Sequence, residues 1–187
     1  LSLHDALPIS DYAGFVFAGK KRRVSDDQAA ALRKALDPSI PAVGVFVDDS
    51  LKHIGQLVTA GTIQIVQLHG CEDDAMIEAV QQTLKVRVIK AFSIASEADV
   101  RQARCSRADY ILLDHGAGGT GDCFDWALLA HIDRPYFLAG GLNPDNAAQA
   151  AALQPFALDV SSGIETDGVK DKEKMKRFMA QVRAYRR

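Results

Sequence analysis

The sequence predicts an α/β protein, a (βα)8 TIM barrel that lacks its first βα unit. Three observations support this prediction. Seven short apolar segments alternate with seven helical segments along the 187 residues. The apolar segments are hydrophobic at consecutive positions, as strands covered on both faces are. No linker or low-complexity stretch divides the chain, and seven successive βα units favour a closed parallel barrel, which has eight.

Each predicted element carries its own local signals. The first strand is an aromatic and apolar run, and Ser25 after it precedes two acidic residues and an Ala-rich segment, the pattern of an N-capped helix. Gly61 stands where the second helix should end. The predicted strands are 12–18, 42–47, 63–68, 86–92, 110–113, 136–139 and 157–160, and the predicted helices are 26–36, 50–60, 73–84, 96–104, 124–130, 143–153 and 170–185.

The missing unit is expected at the N-terminus, because the last unit finishes in a long amphipathic helix. Residues 1–10 (LSLHDALPIS) match the translation of a common short-read sequencing adapter, so we expect this segment to be non-native; the alternative is a genuine divergent N-terminus. The prediction is a single barrel domain over residues 11–187, incomplete at its N-terminus. As written, the chain is expected to be inactive and poorly folded, since an unclosed barrel leaves strand edges unpaired.

Composition narrows the classes of partner. The net charge is −2, with 48% hydrophobic and 25% charged residues, as in ordinary globular proteins, so neither a nucleic acid nor a membrane is expected as a partner. No apolar run reaches the roughly 18 residues of a membrane span. The three cysteines, Cys71, Cys105 and Cys123, lack metal-ligand spacing, which favours reduced thiols in a cytoplasmic protein.

Two glycine-containing segments end the last two predicted strands. Gly140-Gly141 closes one strand and opens a helix, and Ser161-Ser162-Gly163 follows the other. Glycines let backbone N–H groups approach a ligand closely, and helix N-termini add partial positive charge. One such segment alone would favour an ordinary turn. The pair favours a phosphate site, which barrels of this class commonly form after their last two strands.

Asp114 ends another apolar strand and precedes the glycine-rich stretch 118–121. A carboxyl group at such a place suits acid–base catalysis. An aspartate that starts a loop also caps local N–H groups. Position alone leaves both interpretations open.

Weaker candidates follow three other strands. Gln67 and His69 end one of them, although a lone histidine is more often structural than catalytic. Lys90 ends the next, where it could point into the barrel mouth or pair with a carboxylate. Arg22 follows the first strand and could hold a substrate carboxylate through two hydrogen bonds. A solvated loop arginine is the slightly favoured alternative on these grounds.

Taken together, the motifs resemble one family. The succession GFVFA, KRRVS, VGVFV, VQLHG, VIKAF, ILLD, GGTGDCFDW, LAGGLNPDN and DVSSGIETDGVKD is similar to the phosphoribosylanthranilate isomerases of tryptophan biosynthesis. The resemblance covers Asp11 to the C-terminus. Other phosphate-binding barrels share glycine pairs, but not FDW after GGTG, nor DVSSGIE with GVKD.

The resemblance implies an Amadori rearrangement of phosphoribosylanthranilate to the carboxyphenylamino-deoxyribulose phosphate. It assigns the general acid, which protonates the ring oxygen, to Asp114, and the partner of the substrate carboxylate to Arg22. It implies no metal and no organic cofactor. The remaining substrate-binding residues that it implies are Gly140, Gly141, Ser161, Ser162 and Gly163 at the phosphate, with Gln67, His69 and Asp159.

The family's general base is a cysteine in a KICGIT-like motif at the end of its first strand. No such motif occurs in this sequence, and none of the three cysteines matches its position, so the role is carried to no residue.

Two other functions stay open at this point. One is a different sugar-phosphate barrel enzyme, such as indole-glycerol-phosphate synthase, and the other is a non-catalytic phosphate-binding barrel. The expected partner is a small-molecule substrate. The chain is expected to be a monomer or a homodimer. Fusion to, or association with, a neighbouring enzyme of the pathway is a further option.

Overall fold

The computed structural model describes residues 10–20, 22–115 and 125–185. The predictions for the adapter-like segment, for the glycines of 118–121 and for Cys123 lie outside these ranges, apart from Ser10. Two compact units are distinguished, and each is described by itself. The N-terminal unit comprises residues 10–91 and 106–110, and the C-terminal unit comprises residues 92–105 and 111–185 within the described ranges.

The strands confirm the predicted parallel α/β architecture. Seven of them form a sheet whose order follows the chain, and every recorded pairing within it is parallel. They are β1 (Ala13–Val16), β2 (Ala42–Phe46), β3 (Ile65–Leu68), β4 (Arg87–Ser93), β5 (Tyr110–Asp114), β6 (Tyr136–Leu138) and β7 (Ala157–Leu158). A short antiparallel hairpin, β8 (Glu165–Thr166) with β9 (Val169–Lys170), was not predicted.

Helices follow these strands, and each of the first three begins at a residue whose side chain caps it. They are α1 (Asp26–Ala35), α2 (Leu51–Thr59), α3 (Asp74–Leu84), α4 (Glu97–Cys105), α5 (Ala147–Ala152) and α6 (Lys172–Tyr185), with 3-10 turns at Trp126–His131 and Ser162–Ile164. Ser25 caps α1 as predicted, and its hydroxyl accepts the Gln28 N–H while the Gln28 side chain accepts the Ser25 N–H. Gly61 follows α2 with φ of +70°. No helix among the described residues is long and apolar enough to span a membrane.

Three predicted helices begin or form differently. The helix expected over 143–153 starts only at Ala147, because the Asn143 side chain accepts the N–H groups of Asp145 and Asn146 and holds a turn there. The helix expected over 124–130 is a 3-10 helix within its described part. The last helix starts at Lys172 rather than Lys170, since the chain first forms the β8–β9 hairpin.

The N-terminal unit contains α1, α2 and α3 together with the parallel strands β1 to β3 and most of β4. The register places Phe46 of β2 beside Leu68 of β3, and Leu68 beside Lys90 of β4. β2 and β3 therefore end level with each other and with Lys90 of β4, which places the residues that follow β2 and β3 at one edge of the sheet. Fully buried Phe46, Ile54 and Ile77 belong to the core of this unit.

A histidine links two helix starts in this unit. The His53 Nδ1 atom lies 2.7 Å from Asp49, and Nε2 lies 3.1 Å from Asp26 in the first turn of α1. Partial burial by itself lowers the pKa of His53, but the hydrogen bonds to Asp49 and Asp26 outweigh it, and the pKa is raised above its ordinary value. The cluster joins the start of α2 to the start of α1.

The C-terminal unit has its own hydrophobic core. The strand register aligns Leu113 of β5 with Leu138 of β6, and Leu138 with Leu158 of β7. Leu113 and Leu138 pack in one buried cluster with Ile164 and with Phe178 of α6. The carboxyl ends of β5, β6 and β7 are thereby brought level, and polar residues follow each of them.

Candidate functional site

Asp114 is the last residue of β5 and is partly buried. Its carbonyl oxygen accepts a hydrogen bond from the Ile94 N–H at 2.9 Å, and its Oδ1 atom accepts the His115 N–H at 2.7 Å. The capping role that the sequence left open is therefore present. It does not exclude an acid role, because the carboxyl group has a second oxygen.

Gly140 lies directly against Asp114. It follows β6 with φ of +84°, and a Cβ atom at this position would lie 2.6 Å from Asp114 Oδ1 and 2.6 Å from the His115 nitrogen. Only glycine fits without displacing the backbone. The ends of β5 and β6 therefore meet at this pair of residues.

Gly141 has its carbonyl group held on one side. The side-chain amides of Asn143 and Asn146 donate to its oxygen at 3.2 and 3.0 Å, and the Asn143 N–H donates to Asn146 Oδ1 at 2.9 Å. With φ of +63°, Gly141 also adopts a backbone conformation that favours glycine. This network rigidifies the turn between β6 and α5.

Gly163 brings the loop after β7 onto the loop after β6. A Cβ atom there would collide with the Leu142 carbonyl oxygen and would lie 2.8 Å from the Leu142 carbonyl carbon. The contacted atoms are backbone, so a side chain could enter only if one loop moved. Ser161 and Ser162 are exposed beside this contact, and Asp159, also exposed, donates its N–H to the Leu138 carbonyl at 2.8 Å.

A chain of contacts therefore joins Asp114, Gly140, Leu142 and Gly163 within the C-terminal unit. The predicted acid and the two predicted phosphate segments are brought together. Arg22, Gln67 and His69 belong to the other unit, where each is described separately.

The hairpin after the second phosphate segment carries a lysine to which the sequence analysis gave no role. Lys170 Nζ donates to the Ser161 carbonyl at 2.8 Å and lies 2.9 Å from Glu165 Oε1. The motif GVKD was noted, but its spacing does not reveal that Lys170 returns to Ser161. Beside it, hydrogen bonds from the Thr166 hydroxyl and then from the Lys174 N–H hold the pKa of Asp171 below its ordinary value.

In the N-terminal unit, Gln67 and His69 contact each other at the end of β3. Gln67 is buried, and its Nε2 atom lies 3.0 Å from His69 Nδ1. Arg22 lies in the loop between β1 and α1 and is exposed. The structure thus joins Gln67 to His69 and leaves the Arg22 side chain accessible to solvent.

Lys90 pairs with a carboxylate, one of the two alternatives open from the sequence. Its Nζ atom lies 3.1 Å from Glu72 Oε2, and the two side chains are only 7% and 4% exposed. Lys90 also donates to the Gly70 carbonyl at 2.7 Å. Glu72 accepts the N–H groups of Gly70 and Asp48, at 2.9 and 2.7 Å. Glu72 was missed because nothing in the local sequence distinguishes it from a surface acid.

The pair fixes the backbone that follows Gln67 and His69. Gly70 is pressed against Asp48, since a Cβ atom on Gly70 would lie 2.5 Å from Asp48 Oδ1 and 2.8 Å from the Asp48 nitrogen. Asp48 Oδ1 accepts the Cys71 N–H at 2.7 Å. The segment that follows His69 is therefore held by hydrogen bonds to Lys90 and Glu72 at Gly70 and to Asp48 at Cys71.

Within the part of the chain that the structure describes, no group of three or more His, Cys, Asp or Glu side chains could hold a metal ion. Cys71 and Cys105 are exposed free thiols.

Comparison with known proteins shows that the chain is of the isomerase class. The sequence model of N-(5'-phosphoribosyl)anthranilate (PRA) isomerase matches residues 4–181. The chain belongs to this family of isomerases.

Individual relatives support the assignment. The N-(5'-phosphoribosyl)anthranilate isomerase of Endomicrobium trichonymphae is 45% identical over 170 residues, which cover 88% of this chain and 84% of that protein. The crystal structure of the Thermotoga maritima phosphoribosyl anthranilate isomerase is 34% identical, with a TM-score of 0.90, over 97% of this chain and 93% of that one.

A further structure shows an enzyme of this family with a ligand. It is a phosphoribosyl anthranilate isomerase in complex with reduced 1-(o-carboxyphenylamino)-1-deoxyribulose 5-phosphate, 33% identical, with a TM-score of 0.86, over 97% of this chain and 92% of that chain.

Proposed function

We propose that this protein catalyses the Amadori rearrangement of N-(5'-phosphoribosyl)anthranilate in tryptophan biosynthesis. The observation that carries the proposal is the contact of Asp114 with Gly140, next to the contact of Leu142 with Gly163. The proposed acid and the two proposed phosphate-binding segments thus adjoin within the C-terminal unit. A phosphorylated sugar bound at the glycines would present its ring to the carboxyl group.

The reaction needs one proton donated to the ring oxygen and another removed from C2. Asp114 donates a proton to the furanose ring oxygen, the C1–O bond breaks, and the nitrogen lone pair forms a Schiff base. A base then removes the proton from C2, which gives an enolamine, and this tautomerises to the ketone. Atoms and electrons balance within the substrate, since C1 is reduced as C2 is oxidised. We assign the base to none of the described residues.

The phosphate binds at the two segments after β6 and β7. Gly141, Ser162 and Gly163 supply backbone N–H groups, and the exposed hydroxyls of Ser161 and Ser162 add donors. Because two asparagine amides hold the Gly141 carbonyl, the Gly141–Leu142 peptide group keeps one orientation, and this steadies the turn that carries Gly141. Such a preformed arrangement lowers the entropic cost of binding.

Gly163→Ala tests the phosphate site. The methyl group would collide with the Leu142 carbonyl, so the two segments must separate, and the donors they contribute would no longer converge. The ligand is reduced 1-(o-carboxyphenylamino)-1-deoxyribulose 5-phosphate, called the reduced product below. We expect its affinity, measured by isothermal titration calorimetry, to fall about tenfold or more. Gly14→Ala is the matched control, since a Cβ atom there meets nothing within 4 Å. Equal affinities for both variants would contradict the site.

We further propose, as the resemblance implies, that Arg22 binds the anthranilate carboxylate and that Gln67 and His69 contact the substrate. The support is that Arg22 is an exposed residue and that the Gln67 and His69 side chains are paired at the end of β3. Arginine suits a carboxylate because its planar group donates two parallel hydrogen bonds.

Arg22→Ala is expected to weaken binding of the reduced product about ten- to a hundredfold, as loss of a charged hydrogen bond does. Arg23→Ala is the matched control, because Arg23 is also exposed in the same loop. Calorimetric titration of both variants decides the assignment. A loss confined to Arg23→Ala would transfer the carboxylate role to Arg23.

A further inference from the structure

The hairpin β8–β9 returns the chain to the start of the second phosphate segment. Its turn residues Asp167 and Gly168 have φ of +52° and +78°. As a result Lys170, nine residues after Ser161, places its ammonium group 2.8 Å from the Ser161 carbonyl oxygen. The same ammonium lies 2.9 Å from Glu165 Oε1, whose side chain is only 11% exposed. Two partners therefore hold one Lys170 rotamer.

The Ser161 carbonyl and the Ser162 N–H belong to one peptide group. That group is planar and trans, so its C=O and N–H bonds point in opposite directions. When Lys170 holds the carbonyl on one side, the Ser162 N–H faces the other. A charged donor on the oxygen also polarises the peptide group and strengthens its N–H as a donor.

We propose that Lys170 is a positioning residue for the substrate phosphate, acting through the Ser161–Ser162 peptide group. This inference rests on the proposed function and deepens it. It assigns to Lys170 the selection of phosphorylated over unphosphorylated sugars. Because Glu165 balances the charge of Lys170, the effect is local, carried by the orientation of one N–H rather than by long-range attraction.

The hairpin has anchors that do not depend on Lys170. Lys174 Nζ of α6 donates to the Glu165 carbonyl, and the Thr166 hydroxyl donates to Asp171 at 2.7 Å. Lys174 is therefore a matched control. Like Lys170 it donates to a backbone carbonyl, but its partner is Glu165 of the hairpin, which lies outside the Ser161–Ser162 peptide group.

The experiment compares Lys170→Met, Lys174→Met and Lys170→Arg with the unchanged chain. Each is titrated calorimetrically with inorganic phosphate, with the reduced product and with its dephosphorylated counterpart. For Lys170→Met we expect about a tenfold loss of affinity for the first two ligands and no change for the third. Lys174→Met is expected to lower the melting temperature and leave the affinities unchanged. Lys170→Arg, which can still donate to the carbonyl, is expected to restore most of the phosphate affinity.

Two results would overturn the inference. One is unchanged phosphate affinity in Lys170→Met. The other is an equal loss in Lys170→Met and Lys174→Met, which would show general loosening of the hairpin. The proposed function fails separately, if the unchanged chain binds inorganic phosphate but not the reduced product. In that case a selective loss of phosphate affinity in Lys170→Met would still support the role of Lys170.

Discussion

Asp114→Asn is expected to abolish turnover and to leave the fold unchanged. Asparagine has the same shape, and its Oδ1 atom can still accept the His115 N–H. It cannot release a proton to the ring oxygen, and loss of a general acid costs about 10²- to 10⁴-fold in rate. We therefore expect the two roles of Asp114 to separate in this variant. Turnover should be lost, while the thermal melting curve and the affinity for the reduced product stay near those of the parent.

Turnover is best measured in a chain preceded by a family-type first βα unit, which carries the cysteine of the KICGIT-like motif. Asp73→Asn is the matched control, because Asp73 likewise accepts one backbone N–H, that of Met76 at 2.9 Å, and caps α3. It should keep its rate. If Asp114→Asn retained the parent's rate, Asp114 would be a cap only, and the acid would have to be sought elsewhere.

Lys90→Met is expected to destabilise the N-terminal unit by about 3–5 kcal/mol, the usual cost of breaking a buried ion pair. Methionine fills a similar volume but leaves the Glu72 carboxylate buried without its cation. The Gly70 carbonyl loses its donor at the same time. Equilibrium unfolding in urea measures the change in the free energy of unfolding.

Two further variants show whether the loss of the Lys90–Glu72 ion pair causes the lower stability of Lys90→Met. Lys90→Met combined with Glu72→Gln removes the buried charge, and we expect it to recover part of the stability. Arg101→Met breaks the exposed pair with Glu97, whose side chains are 67% and 70% exposed, and should change stability little. If Lys90→Met and Arg101→Met lost equal stability, the buried pair would not stabilise this unit.

The Lys90 variants are also expected to affect substrate binding at Gln67 and His69. The pair holds Gly70, the residue after His69, so its loss should disorder the segment that carries Gln67 and His69. Affinity for the reduced product should then fall in Lys90→Met even under conditions where the protein remains folded.

Local chemistry in the sequence determined most of the elements. Apolar runs gave the seven parallel strands, because strands covered on both faces are hydrophobic at consecutive positions. Ser25 could be predicted as a cap because, at any helix start, the cap side chain can accept the N–H of the residue three positions later, here Gln28. The motifs also identified the family, since their order along the chain requires no coordinates, and they supplied the roles proposed for Asp114 and the glycine segments.

Tertiary structure alone decided which groups touch. Glu72 is 18 residues from Lys90, and only the parallel register of β3 and β4 makes it the buried partner. Gly163 requires glycine because the Leu142 carbonyl occupies the place of its side chain, and no local pattern encodes that neighbour. Lys170 reaches Ser161 because two turn residues adopt positive φ and reverse the chain. Such contacts depend on where distant backbone segments lie, which the pattern of residues along one segment does not specify.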